Sequence, residues 1–246
     1  MPNITLNGET VSYRVRRSTR ARQISLRISP DTGLEIVIPQ RAKVAQAEIE
    51  TMLRSRTDWL LKHLARYQPA AQAVSARYAD GSSMPYLGGD YPLRLLTGRG
   101  KSVRVGLEAD YFRVHVPQSL AEDARQDTRQ DALRDAFGRW YAQQARAYIP
   151  PRVAEHAARM GLRYGRVSIK DQKTRWGSAS SLNNLNFNRR LMMAPAAVID
   201  YVIIHELCHF WEMNHSRRYW ALVEQYCPDY KMLRGWLRTN GLLLQL

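Results

Sequence analysis

The chain has 246 residues, 45% hydrophobic and 24% charged, which is the make-up of a globular protein with a sizeable core; collagen-like, coiled-coil and disordered classes are excluded. Charge is the outlying number: 37 Lys+Arg, 31 of them Arg, face 22 Asp+Glu for a net +15, which points to an anionic partner such as a nucleotide or nucleic acid. The excess is even, with 18 basic and 10 acidic groups in residues 1–117 and 19 and 12 in the remainder, so no detachable basic tail explains it.

The first forty residues read as strands. Thr10–Val15, Gln23–Ile28 and Leu34–Ile38 alternate polar and apolar, with a turn signal at Pro30-Asp31-Thr32-Gly33. Over residues 43–67 the period becomes helical, through Val44, Ala47, Ile49, Leu53, Trp59, Leu60 and Leu64. Gln68 to Ser83 is Ala/Gln/Ser-rich and reads as a linker, and strands return from Met84 to Pro117. Residues 120–149 are helical, broken at Pro150-Pro151 and resuming to Met160. Short strands are expected at 166–170, 173–176 and 186–190. From Pro195 to about Glu212 the sequence predicts a helix apolar nearly all round, hence central and buried. Residues 216–239 read as covering helices with a break at Cys227-Pro228. No internal repeat is visible. The expected fold class is α+β, with a β-rich section over 1–117 containing helix 43–67 and a second section over 118–246.

Three of the six histidines fall within eleven residues. His205-Glu206-Leu207-Cys208-His209 places two imidazoles one turn apart on one helix face, a grip for one Zn²⁺, with Glu206 adjacent and able to reach a water on the metal. His215 follows six residues on, after a turn expected at Met213-Asn214 because Asn tolerates left-handed backbone. It is favoured as third ligand over Glu224 and Asp229; Glu212 is a weaker candidate. Two buried imidazoles and a carboxylate without a metal would be costly, because buried polar groups need partners. Cys208 reads as a packed helix residue. Two cysteines in a chain this long make no disulfide scaffold and suit a reducing cytoplasm. No apolar run reaches the roughly 18 residues of a membrane span, and the start lacks the pattern of a secretory signal, so a cytoplasmic protein without a membrane partner is expected.

Arg175-Trp176-Gly177-Ser178, the basic stretch Tyr13–Ser18 and Met213-Asn214-His215-Ser216 resemble the YgjP-like metallopeptidase family, which is akin to the SprT-like and WLM zincins. The resemblance runs from about Val11 to Leu237. It implies a minimal zincin fold with a buried His-Glu-x-x-His helix and a small sheet, one zinc held by His205, His209 and His215, and Glu206 as catalytic glutamate. Ala179, where the family often has Cys, and Tyr219, where it often has Phe, depart from the pattern without touching a ligand.

The expected activity is hydrolysis of a peptide or protein by a zinc-activated water, with Glu206 as general base. Tyr219 and Arg175 are candidate oxyanion stabilisers. The strand edges around Trp176-Gly177 and Asn186–Asn188 are candidate substrate-binding segments. Two rival readings arise from charge. Arg175, Arg189, Arg190, Arg217 and Arg218 flank the motif and suit phosphate, which suggests a nucleotide pyrophosphohydrolase. Arg14, Arg16, Arg17, Arg20, Arg22 and Arg27 lie in fourteen residues without an acid, which suggests a zinc site acting on nucleic-acid-bound proteins, or else a solvated strand face.

Overall fold

The computed structural model describes residues 1–29, 33–65, 76–122 and 126–246, and forms an α+β fold. The expected turn at Pro30–Thr32 and the first half of the expected linker lie outside the described residues; its second half forms a 3-10 turn at Ala76–Tyr78 and leads into the next strand. The chain divides into two compact units, Met1–Ser75 and Ala76–Leu246.

The first unit is a sheet of β1 (Asn3–Leu6), β2 (Glu9–Ser18), β3 (Ser25–Ser29) and β4 (Gly33–Pro39), in the order β1-β2-β4-β3. β1 and β2 form an antiparallel hairpin, β2 runs parallel to β4, and β3 runs antiparallel to β4. The hairpin turns on Asn7 (φ 47°) and Gly8 (φ 85°), two successive left-handed residues that match the twist of the strands they join. The expected helix 43–67 appears as α1 (Gln46–Arg54) and α2 (57–65), separated by a break at 55–56. Their apolar faces (Ile49, Leu53, Leu60, Leu64) close a small core with Ile4, Leu6, Tyr13, Leu34, Ile36 and Ile38.

The second unit opens with the same construction. β5 (Ser83–Tyr86), β6 (Gly89–Gly98), β7 (Arg104–Leu107) and β8 (Phe112–Pro117) take the order β5-β6-β8-β7, with matching strand directions. The register repeats: Asn3 pairs with Ser12 and Leu6 with Glu9, as Ser83 pairs with Pro92 and Tyr86 with Gly89. The turn repeats on Leu87 (φ 48°) and Gly88 (φ 86°). An internal duplication is therefore present, contrary to the sequence reading.

The expected boundary at 117/118 falls inside this second unit. Met84, Leu93, Phe112 and Val114 share one core with Phe137, Trp140 and Tyr141 of α4 (Gln126–Arg159), so the sheet cannot be parted from that helix; the short α3 (Gln118–Ala121) connects them. α4 is continuous through Pro150 and Pro151. The two prolines remove two backbone donors, but the buried stripe Tyr141, Ala145, Ile149, Val153, Ala157 runs on across them, and packing holds the helix.

A three-stranded sheet comes next, β9 (Val167–Lys170), β10 (Gly177–Ala179) and β11 (Leu185–Asn188), in the order β10-β11-β9, with β10 at its edge. β11 runs antiparallel to β10 and parallel to β9. The strand expected at 173–176 is a loop, because the carbonyls of Gln172, Lys173 and Arg175 are taken by the side chains of Asn188 and Arg190. β11 stops at Asn188, whose side chain accepts from the Arg190 N–H (3.1 Å) and starts a 3-10 turn over Arg189–Met193.

The central helix is α5 (Ala196–Cys208), buried at Val198, Ile199, Tyr201–Ile204, Leu207 and Cys208. It begins one residue after Pro195 and ends at His209, short of the expected Glu212. Asp200 ties it to α4, accepting from Arg152 at 2.9 and 2.6 Å and standing 3.1 Å from His156. The tip of the β5–β6 hairpin braces its start: the Leu87 N–H donates to the Met192 carbonyl (2.8 Å), and a Cβ on Gly88 would stand 3.0 Å from the Pro195 Cα. α6 (Arg217–Tyr226) and α7 (Tyr230–Asn240) complete the chain's helices. Among the described residues no helix is long and apolar enough to cross a membrane.

Candidate metal centre

The site is built from the C-terminal end of α5 and the turn after it. His205 and His209, four residues apart, share one face of the helix end. The Cys208 carbonyl accepts from the Trp211 and Glu212 N–H groups, and the Ser216 N–H donates to the Asn214 carbonyl (2.7 Å), so the chain reverses within seven residues. The expected left-handed Asn214 is absent; that backbone hydrogen bond makes the turn instead. Ser216 then caps α6 by accepting from the Tyr219 N–H (3.2 Å), which fixes His215 immediately before the helix.

The three histidines converge. Their ligand atoms lie within 4.8 Å of one another, and Nε2 of His215 is 3.2 Å from Nε2 of His205. Tetrahedral zinc with Zn–N bonds of about 2.0–2.1 Å places its nitrogens roughly 3.3 Å apart, close to the His205–His215 separation. Nδ1 of His209 lies 3.1 Å from the Glu212 carbonyl, the kind of partner that fixes a ligand's tautomer and frees Nε2. The Nδ1 of His205 is buried with no partner among the described residues. Burial, followed by the neighbouring His209 and His215 and by Arg234, pushes His205 down to about 3; His215 is lowered by burial, His209 and Arg234. Imidazoles held neutral in a cluster are poor proton acceptors and ready ligands for a cation. Glu224 is paired with Lys231 (3.1 Å) and Asp229 sits at the start of α7; neither is among the grouped ligands.

Glu206 is 5% exposed. Burial pushes its carboxyl up to about 8, while the backbone N–H of Ala179 and the charge of Arg175 pull the other way. β10 presses on it closely: a Cβ on Gly177 would lie 2.5 Å from Glu206 Oε1, so any side chain there would displace the carboxylate. β10 thus meets the carboxylate side chain at Gly177.

The other expected site residues separate into two groups. Arg175 is exposed and acts electrostatically on Glu206. Tyr219 is fully buried and donates its one hydroxyl proton to the His205 carbonyl (2.9 Å), with its ring stacked on His209 (4.6 Å between centroids). It therefore shapes the ligands and has no proton to offer an oxyanion. Trp176 lies under the Arg190 guanidinium (5.2 Å), and Asn188 is fully buried with its amide spent on the Gln172 and Arg175 carbonyls. Asn186 bonds across to Ser178 (3.2 Å). The arginines of β2 and its following loop belong to the first unit. Arg16 is paired with Glu35 (3.0 Å) and Arg17 donates to the Gln40 and Ala42 carbonyls, while Arg14, Arg20 and Arg22 are solvent-exposed.

Arg234 escapes sequence reading. It stands on α7, its guanidinium 4.5 Å over the Trp220 ring, and that ring is stacked 5.7 Å from His215. Nothing in its local sequence signals this, since it lies nineteen residues beyond the last histidine. Cys208 is buried, its thiol pushed up to about 12 by burial and by Cys227, and it is not among the grouped ligands.

A family model described as YgjP-like, metallopeptidase domain, matches residues 22–240. Among solved structures, the zymogen of the metallopeptidase abylysin from Pyrococcus abyssi is 19% identical over 39% of this chain and 96% of its own, with a TM-score of 0.35. The zymogen of jannalysin from Methanocaldococcus jannaschii is 22% identical over 34% of this chain and 90% of its own, with a TM-score of 0.31. A comparison with curated proteins returns no match.

Proposed function

The chain belongs to the YgjP-like metallopeptidase family, and from that premise we propose that it is a zinc-dependent peptidase with His205, His209 and His215 as ligands and Glu206 as general base. The observation that carries the reading is Glu206 itself. It adjoins the histidine cluster on the same helix, it is buried, and it is held by β10 through Gly177 and the Ala179 N–H. His205, His209 and His215 would hold the zinc ion, which would supply Lewis acidity when bound. Glu206 would take the proton from the attacking water and pass it to the leaving amine. The unpaired edge of β10 offers backbone groups to an extended peptide and sets its carbonyl against the glutamate. Tyr219 holds the His205 carbonyl and the His209 ring in place.

Replacing Glu206 by Gln tests this. Zinc binding is retained, measured by metal analysis of the purified variant, and peptide hydrolysis falls by about 10²–10⁴-fold. Full activity in that variant would refute the role.

A second reading, hydrolysis of a phosphoanhydride such as a nucleoside triphosphate, is favoured by Arg175 and Arg234. Both are exposed cations acting on the residues of the centre, and neither forms a salt bridge among the described residues. Guanidinium forks bind phosphate well. Two of the arginines expected to serve this reading are engaged elsewhere: Arg189 with Asp171 and the Gly138 carbonyl, and Arg190 in the interior. Assaying peptides and nucleoside triphosphates side by side, with Glu206→Gln as control, separates the readings. Turnover confined to triphosphates selects the second.

A further inference from the structure

Behind the catalytic strand lies a buried polar centre that the chemistry above does not use. Asn188 is fully buried and Arg190 is 5% exposed, although both are strongly polar. The Asn188 amide donates to the carbonyls of Gln172 and Arg175 (the latter 2.9 Å), and its backbone N–H donates to the Trp176 carbonyl (2.8 Å). Its side-chain oxygen accepts from the backbone N–H and the Nε of Arg190 (3.1 and 3.3 Å). The Arg190 guanidinium donates to the carbonyls of Gln172, Lys173 (3.3 Å) and Leu244 (3.4 Å) and to Gln245 Oε1, and it covers the Trp176 ring at 5.2 Å. The two side chains thus gather the backbone of 172–176 and tie residues 244–245 to it.

That loop leads directly into Gly177, and Gly177–Ala179 is the strand that touches Glu206. The strand is three residues long, at a sheet edge, and paired on one side only. Three residues of pairing fix its register weakly, so its placement depends on how its entering loop is held. A buried guanidinium with planar, forked donors is suited to this, because it satisfies several carbonyls in one fixed geometry and is costly to leave unsatisfied.

We propose that Asn188 and Arg190 are positioning residues for the catalytic strand, acting on Glu206 through Gly177–Ala179, and that Leu244–Gln245 forms part of the same clamp. The proposal rests on Glu206 carrying the reaction. Its test is therefore read first without turnover.

The experiment compares the full-length, zinc-loaded protein with its Arg190→Gln, Arg190→Lys and Gln245→Ala variants by hydrogen–deuterium exchange and mass spectrometry. Arg190→Gln raises exchange over 172–179 at least tenfold, while peptides covering 167–170 and 196–208 stay within twofold and zinc stoichiometry is unchanged. Arg190→Lys behaves like Gln, because one ammonium cannot reproduce the fork. Gln245→Ala, which removes one acceptor at the edge of the clamp, gives a smaller rise of about threefold and serves if the Arg190 variants do not fold. In turnover, Arg190→Gln lowers kcat about tenfold with KM within twofold, and the loss vanishes in a Glu206→Gln background, as expected of two residues acting in series. Unchanged exchange over 172–179, or a rise spread evenly over the second unit, overturns the proposal. Localised exchange with a kcat loss that persists in the Glu206→Gln background overturns the link to Glu206 alone. Failure of the peptidase reading leaves the exchange result standing.

Discussion

The two four-stranded sheets share order, direction, register and even the left-handed pair at the hairpin tip, yet the second shares a core with the helix that carries His205 and His209 and the first has a core with α1 and α2. The difference lies in what each one packs against. The first sheet closes a small core with α1 and α2, and a Cβ at Gly8 would meet nothing within 4 Å among the described residues. The second sheet merges its core with α4 and α5, and Gly88 is pressed against Pro195 at the start of the helix that carries His205 and His209. One backbone design thus serves once over a small core with two helices and once as the brace of the helix that carries His205 and His209.

Substitutions at paired positions sharpen or break this comparison. The largest effect is expected at Phe112, which is fully buried and packed edge-on to Phe137 and Trp140. Phe112→Ala costs about 3–5 kcal/mol in urea unfolding and weakens zinc binding, whereas Ile36→Ala in the first sheet costs about 2–4 kcal/mol and leaves zinc affinity unchanged. A loss of zinc affinity in Ile36→Ala would show that the modules are coupled. Next comes Gly88→Ala, which combines a strained positive φ with a contact on Pro195 and is expected to cost roughly 2–4 kcal/mol with reduced zinc affinity. Gly8→Ala carries the φ strain alone, about 1 kcal/mol, with no effect on metal. Equal behaviour of the two glycines in parallel unfolding and zinc titrations would refute the bracing role.

The pH response should likewise belong to the second unit. In metal-free protein Glu206 is raised from 4.5 to about 8, so the folded state holds its proton longer than the unfolded chain does. This destabilising contribution grows as pH rises from about 4.5 to 8. His205, lowered from 6.5 to about 3, acts oppositely: its contribution is fully stabilising above 6.5 and is lost as a destabilising proton demand sets in between 6.5 and 3. The two slopes oppose each other between about 4.5 and 6.5, leaving a net fall in stability from 6.5 to 8. Glu206→Gln removes that fall and raises the metal-free Tm at pH 8 by roughly 5–10 °C, measured by calorimetry. The smallest effect is expected at Arg16→Ala, whose exposed pairing with Glu35 is worth about 0–1 kcal/mol.

Much of the site was legible because its information is local. Two histidines four residues apart with a glutamate between them need only a helix to become a constellation, and the apolar run Val198–Ile204 announces that helix. The third histidine arrives within a few residues of the helix end. The illegible parts depend on contacts distant in sequence. The duplication keeps Gly8 as Gly88, Pro39 as Pro117 and Gln40 as Gln118, but its buried positions keep only apolar character: Tyr13 answers to Leu93, Leu34 to Phe112, Ile36 to Val114. The boundary at 117 looked natural because strands give way to a helix there, and only the shared core removes it. Proline logic alone would break α4, and packing overrides it. Tyr219 beside the ligands invited a chemical role, until its hydroxyl was found on the His205 carbonyl.

Cys208, one residue before His209, also supplies a clock. Its thiol is sealed in the core and held protonated by burial, so a thiol-directed reagent can modify it only when the end of α5 opens. The rate of that labelling is a direct count of such openings. Measured with and without zinc, it turns the grip of three side chains on one ion into a number of seconds.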